Sequence, residues 1–442
     1  MDVSSKYFSL LKRPSLHWPK YVWYFLIDIY RVGKLRELCS FALWEINHKL
    51  RVYQFAKQYI SFTDNNYLSL TSEDGMGSWH RNEADTPSFL CDQGFHFQPV
   101  VVDWKYCVQT RDSLLWGCRF SSLTVLCCSH DQSQSAIRVY TFDHPITSLF
   151  LSSQDTLFVC ANGVIYKSED RGASFRLVLQ LSTRISYFLF NNGMTELPDQ
   201  RLMIGEYGSI WHGQTWENLA FLYYSSDGGN TWTTADFLKQ QGVNKHIHLV
   251  KYCARLNAVL LTDGDNKKQV WINSALTHFD KQAGRRKDGW QLITKHHHQT
   301  GGYTSMAETA ENTLLGSDYL GGTNFIVSTA DGKQFRKLVL PDPYRRSPVM
   351  NMVIRQSSSG EEVWASSYSC LSNKAKSLLM CTTDSGNSWA RIIEFDGTKH
   401  EVRIASSSPV SSNVLYISIT EFGEHPDQHR HKVYKLERHS VS

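Results

Sequence analysis

Glu206 and Tyr207 stand side by side between two glycines, in Gly205-Glu206-Tyr207-Gly208, with Trp211, His212 and Trp216 close behind. A carboxylate beside a phenol suits a nucleophile or acid–base pair, because the acid can draw on the phenolic proton. A strand edge with an outward glutamate would use the same letters. Next comes His246-Ile247-His248. In a strand, alternation puts both imidazoles on one face, where they suit proton transfer, a sugar hydroxyl or a metal. Two ligands alone do not make a zinc site, and a hydrogen-bonded pair of histidines fits equally well. Thr262-Asp263-Gly264-Asp265-Asn266 offers two carboxylates for sugar hydroxyls or a cation, or else a polar turn. Asp318, in Gly316-Ser317-Asp318-Tyr319 with Asn324 nearby, looks like its counterpart. The run Lys295-His296-His297-His298 reads as a solvated loop from which His298, or Tyr303 beyond it, reaches the same region.

Such scattered residues need a scaffold that gathers them. Three segments share one layout: SEDRGASF at 168–175, SSDGGNTW at 225–232 and TTDSGNSW at 382–389. Each is Ser/Thr-x-Asp-x-Gly-x-Ser/Thr-aromatic. The Asp and the first hydroxyl bond turn backbone groups, Gly permits positive φ, and the aromatic seals the turn against a sheet. Degenerate copies stand at 72–79, 129–135 and 329–335. The three good copies start 57 and 157 residues apart, one unit per fifty-odd residues, which signals a stacked or radial array.

These segments resemble the Asp-box, or bacterial neuraminidase repeat, of sialidase-like β-propellers, over roughly the last 380 residues. The resemblance implies that the boxes lie on the rim, between third and fourth strands, and that a ligand meets the hub. The order of Gly-Glu-Tyr, Ser-x-Asp-Gly-Gly-x-Thr-Trp, His-Ile-His, Thr-Asp-Gly-Asp and Gly-Ser-Asp with Asn is similar to that of uncharacterised bacterial sialidase-like propellers, over residues 200–335. It implies that Glu206, Tyr207, His246, His248, Asp263, Asp265 and Asp318 share one site. Sialidase chemistry itself is not expected. It needs three arginines to clamp a carboxylate, and the family's Arg-Ile-Pro signature is echoed only by Arg184-Ile185-Ser186; Arg111, Arg355 and Arg403 are the other candidates.

The fold expected is all-β, a seven-bladed propeller with six blades as the alternative count, preceded by a helical segment. Residues 1–60 form that segment and 61–442 the propeller. Apolar residues from Trp18 to Tyr53 recur at three- and four-residue steps, with Pro19 at the start and a break at Gly33. The helix reads as a cap or as a surface for a membrane or a partner, its positive face diluted by Asp28, Glu37 and Glu45. Seven units begin near 100, 146, 185, 246, 303, 349 and 402; the last has three strands, and residues 67–81 are expected to supply its fourth.

Lys and Arg total 46 against 42 Asp and Glu, so no polyanion footprint argues for nucleic acid. No Gly-rich phosphate loop follows a strand. The ten cysteines, in apolar surroundings and without a C-x-x-C pair, read as buried thiols of a cytoplasmic protein. The stretch 21–30 is too short to span a bilayer. Glu206, Tyr207, His246 and His248 are the candidate catalytic residues, and Asp263, Asp265, Asp318, Asn324 and Tyr303 the candidate ligand-binding ones. No metal or cofactor is expected. Two functions compete: a hydrolase or lyase acting on a complex or acidic polysaccharide, and a non-catalytic scaffold that binds a glycan or a protein partner in polysaccharide assembly at a membrane.

Overall fold

The computed structural model describes residues 17–63, 66–70, 89–90, 94–213, 215–264, 267–284, 288–293, 302–357, 360–407 and 414–438. The chain divides into two units, residues 1–58 with 298–300, and the rest. The first unit is helical, with helices Trp18–Arg31, Leu35–Lys49 and Val52–Phe55. Pro19 occupies the first turn of the opening helix, and the chain breaks at Gly33, whose φ is +71°. Trp44 and Tyr53 pack ring against ring at 5.9 Å. Among the described residues no helix is long and apolar enough to cross a membrane.

The second unit is a seven-bladed β-propeller. Blades 2 to 5 are four-stranded antiparallel sheets whose first strands are Ile146–Leu151, Met194–Glu196, Ile247–Cys253 and Gly302–Glu308. Blade 1 starts with Trp104–Gln109 and blade 6 with Val349–Ser357. Blade 7 consists of His400–Ile404, Leu415–Glu421 and Arg430–Arg438, completed by Phe95–Pro99 and then Phe89–Leu90 from the N-terminal side. The fourth strand therefore comes from Phe95–Pro99 and not from residues 67–81. Of that expected segment, Leu68–Ser69 adds in parallel to the outer strand of blade 6, and 71–81 lie outside the described residues. FHFQP has the better pattern for the position: Phe95 and Phe97 are buried and pack in a core with Trp364, Ile393 and Leu436. Its pairing with Arg430–Arg438 closes the ring and removes two open edges. Cys107 to Ser406 pairing ties blade 7 to blade 1 as well.

The repeated turns all lie between third and fourth strands. In the turn at 225–232, Asp227 accepts from the Thr231 amide at 2.9 Å and hydroxyl at 2.7 Å, and Ser225 Oγ accepts the Gly229 amide at 2.8 Å. The turns at 168–175 and 382–389 repeat these bonds. So does the degenerate copy at 129–135, in which Ser133 takes the glycine position at φ +76° and receives the Trp104 indole N–H at 2.7 Å. The glycine is required for two reasons. Gly172, Gly229 and Gly386 have φ of +78°, +83° and +87°, and a Cβ there would press on Trp116, Phe158 and Leu314 of the preceding blade, at 2.8, 2.6 and 2.9 Å. The turn is thus a wedge between blades as well as a local bend. The copy at 72–79 falls outside the described residues.

Gly229→Ala is expected to cost about 1–3 kcal/mol, measured by urea denaturation. Gly228→Ala, at φ +68° but with nothing within 4 Å of its Cβ, should cost clearly less. Equal losses would show that interblade contact contributes nothing.

The turns also set an acid limit. Bonds from the hydroxyl and amide of Ser174 hold Asp170 down at about 2, and the same bonds from Ser135 hold Asp131 down at about 2. A lowered carboxylate stabilises the fold above its unfolded value near 4 and loses that contribution as the pH falls through its folded value. Unfolding stability should therefore decline between about pH 4 and pH 2, and Asp170→Asn should flatten that part of the profile.

Candidate functional site

Four of the expected site residues meet at the end of the propeller where first strands begin and second strands finish. His246 precedes the first strand of blade 4 and His248 lies within it; Asp318 ends the second strand of blade 5, and Tyr207 follows the second strand of blade 3. His246 Nδ1 is hydrogen-bonded to the Gly208 carbonyl, with Ser209 Oγ at 3.4 Å. His246 Nε2 lies 3.0 Å from His248 Nε2. His248 Nδ1 lies 3.6 Å from Asp318 Oδ2. The Tyr207 ring covers the pair, its centroid 4.1 Å from that of His246 and 5.8 Å from that of His248.

Donor counting orders the protons along this line. A carbonyl only accepts, so His246 Nδ1 carries hydrogen. A neutral His246 then offers a lone pair at Nε2, and His248 must donate from its Nε2. His248 Nδ1 faces a carboxylate, and hydrogen there converts a lone-pair clash into an ion pair. His248 is the member built to take and give a proton, with Asp318 as its counter-charge.

Glycines make room for the imidazoles. A Cβ on Gly264 would stand 2.5 Å from His246 Cδ2, and one on Gly302 would stand 3.1 Å from His248 Nδ1 and 2.7 Å from the Asp263 carbonyl. Asp263 is fully buried and its Oδ1 accepts the Gln269 amide at 2.7 Å, which pins the loop beside His246. Asp265 lies outside the described residues.

The Glu206 carboxylate is taken up by hydroxyls and an amide of blade 3 and the segment before it. It is fully buried, and it accepts from Ser186 Oγ at 2.5 Å, from Tyr223 Oη at 2.6 Å, from the Ser182 amide at 3.3 Å and from Ser182 Oγ. The phenol beside this carboxylate is Tyr223, on the neighbouring strand, whose acidity burial and the Glu206 charge both suppress. Glu206 is a structural anchor that joins the residues before blade 3 to its sheet. Tyr303 is fully buried, its ring edge-on to Phe325 at 6.4 Å. The Asn324 amide group is committed to Ser317, Tyr319 and the Arg345 carbonyl, at 2.8 to 3.2 Å, and shapes the loop after Asp318. His296 to His298 lie outside the described residues.

Other groups lie toward the same end: Arg403, Trp211 and Trp216 stand out in the sequence, whereas Tyr187 and Lys245 carry no signal there. Tyr187 stacks next to Tyr207 at 5.2 Å and exchanges backbone hydrogen bonds with it at 2.7 and 2.9 Å. Arg403, paired with Glu401 at 2.7 Å, keeps 47% of its side chain exposed while its charge acts on Tyr106, Tyr187 and Tyr368. Burial raises all three phenols, Tyr106 to about 12, and Arg403 opposes the shift. Arg355 does not join it as a clamp, being buried and tied to Glu362 at 2.8 Å. On the loop after Gly208, Trp211 and Trp216 lie 4.9 Å apart, 52% and 39% exposed, with Lys245 Nζ 4.4 Å above the Trp216 ring. One signal in the sequence did point here. Phe120, Tyr207, Tyr319 and Tyr368 each stand one or two residues past a second strand, so alignment of the blades reveals an aromatic position.

No protein-family model matches the chain, and no curated protein matches it. Solved structures do. A catalytically inactive virginiamycin B lyase from Staphylococcus aureus, with quinupristin, aligns at a TM-score of 0.51 and 12% identity over 78% of this chain and 98% of the other. The extracellular domain of a hybrid two-component system from B. thetaiotaomicron aligns at 0.50 and 12% identity, over 78% and 40%. A chain of a mitotic checkpoint complex aligns at 0.48 and 11% identity, over 77% and 92%. At these identities the likeness is one of fold alone.

Glu206→Gln places an NH2 among groups that donate to a carboxylate. It should lower unfolding stability by about 2–4 kcal/mol and leave the imidazole proton signals of His246 and His248 in place by NMR. Loss of those signals with unchanged stability would make Glu206 part of the site.

Proposed function

We propose that this end of a sialidase-like propeller binds an acidic glycan and that His248, with Tyr207, performs general acid–base chemistry on it as a lyase or hydrolase. The observation that carries the reading is the line from Gly208 through His246 and His248 to Asp318, covered by Tyr207. With Nε2–H donating to His246, neutral His248 has its lone pair at Nδ1, which can accept a proton from substrate, become the imidazolium opposite Asp318 and return that proton. Tyr207 stands against the imidazoles where a phenol can protonate a leaving oxygen. The exposed Trp211 and Trp216 offer flat faces for sugar rings, since an aromatic face packs against C–H groups. Lys245 and Arg403 supply the positive charge for an acidic sugar. A sialidase mechanism is disfavoured, because Arg355 is committed to Glu362 and Glu206 is occupied.

A second reading is a non-catalytic glycan- or protein-binding scaffold. It draws on the helical unit, where Trp23, Tyr30 and Phe55 are 63%, 71% and 81% exposed. Such rings suit a partner or a membrane surface.

Both readings are tested with the purified full chain against a panel of uronate-containing oligosaccharides, with anionic lipid vesicles as a further arm. Elimination is read as absorbance of the new double bond and hydrolysis as new reducing ends. Turnover should fall about 10²–10⁴-fold in His248→Gln and in Tyr207→Phe. Trp211→Ala should raise KM about ten-fold. Binding without turnover, or vesicle co-sedimentation lost on Trp23→Glu, selects the scaffold. No binding to any glycan with intact folding ends the glycan reading.

A further inference from the structure

The hub holds a second compartment that the imidazole site does not use. It is a cavity of about 510 Å³ on the propeller axis, toward the end where first strands finish. All seven blades line it, among them Val108, Leu151, Glu196, Lys251, Met306 and Val353. None of the residues grouped around His246 and His248 is part of the lining. The reason is a loop between Phe188 and Gly193, which bulges from blade 3 into the channel. Its Asn192 carbonyl accepts the Val250 amide of blade 4 at 2.9 Å, Asn192 Nδ2 reaches Asn351 Oδ1 of blade 6 at 3.5 Å, and Asn191 Nδ2 reaches the Ser406 carbonyl at 3.4 Å. Leu189 and Asn191 themselves line the cavity.

The lining is largely aliphatic. Its two carboxylates are taken by the protein: Glu196 by the Ser153 amide at 2.6 Å and hydroxyl at 2.9 Å, Glu308 by the Ala254 amide at 2.9 Å and the Arg255 amide. Lys251 is the one cation among the described lining residues. Its Nζ donates to the Met306 carbonyl at 3.0 Å. An ammonium has three donors, so this bond leaves two for a guest. We propose that the axial cavity binds a small amphipathic monoanion, a carboxylate on an aliphatic tail, with Lys251 as its counter-charge. The volume lies in the range of small-molecule pockets, and aliphatic walls with one ammonium, beside two carboxylates already bonded to the protein, select such a ligand over a sugar.

Burial lowers Lys251 to about 8, against the opposing charge of nearby Glu308 and the weak influence of Cys253. The guest's carboxylate favours the ammonium, so affinity should be full near pH 7 and fall as the pH rises above about 8.

The test uses the full chain with sodium octanoate as the probe, by isothermal titration calorimetry. One site per chain is expected, weakened at least ten-fold in Lys251→Met, retained within a few-fold in Lys251→Arg, and weakened in wild type between pH 7 and pH 9.5. Neutral 1-octanol should bind more weakly and ignore the Lys251→Met change. Absence of saturable octanoate binding, or equal affinity in Lys251→Met, overturns the proposal. Should Lys251→Met fail to fold by circular dichroism, the wild type decides. Octanoate must protect Lys251 from reductive methylation, read by mass spectrometry, and unchanged labelling at saturation overturns the proposal equally.

Discussion

The pairing of Phe95–Pro99 with Arg430–Arg438 is the constraint on which the rest depends. A four-stranded blade buries its faces only against two neighbours, and an open row of blades would end in two bare faces. The closing strand makes the last blade from both sides of the chain, and Phe95 and Phe97 then fill a core with Trp364, Ile417 and Leu436. Only in a closed ring do first strands from all seven blades face one axis. Tyr207, His248 and Asp318 belong to three consecutive blades and come within reach of each other where their strands converge on that axis.

Legibility followed the range of the interaction. The turns at 168–175, 225–232 and 382–389 were readable because an Asp and a hydroxyl four residues on bond each other without outside help. The helical segment, broken at Gly33, was readable from its period. His246 and His248 were legible as a pair through strand alternation, and their contact is direct. The closing strand was not, because its partner stands at the far end of the chain and nothing within FHFQP names it. Residues 67–81 carry a box-like motif and drew the assignment instead. Glu206 misled for the same reason. Its neighbour in sequence is Tyr207, but Ile204 pairs with Tyr223 across the sheet, and that register brings the second phenol to the carboxylate.

The buried carboxylates show how the fold separates support from chemistry. A buried charge costs several kcal/mol unless donors surround it. Glu206 has three hydroxyls and an amide, and Glu362 has Arg355 and the Trp364 indole. Such groups have no capacity left for a substrate. Asp318 is different: it is partly accessible and faces an imidazole at 3.6 Å, a distance that a shift of substrate or side chain can close. The groups that hold the site together are the satisfied ones, and the groups that can act are those whose partners can still rearrange.

The loop from Phe188 to Gly193 then gives one hub two environments. An uninterrupted axial channel would admit water from both ends and give every lining group much the same surroundings. Asn192 bonds to blades 4 and 6 and Asn191 Nδ2 to the Ser406 carbonyl, so the loop reaches across the hub, while the side-chain oxygens of both asparagines stay buried among the described residues without a hydrogen-bond donor. Toward one end stand imidazoles, phenols and a guanidinium; toward the other stand aliphatic side chains and one amine. Burial acts on cations at both ends: it lowers Lys251 to about 8 beneath the loop, and at Arg403 near the opposite end it is outweighed by Glu401 and the surrounding phenols. The proton transfer proposed for the imidazole end and the apolar-tail recognition proposed for the cavity call for different surroundings, and a divided hub would let the same seven blades provide each.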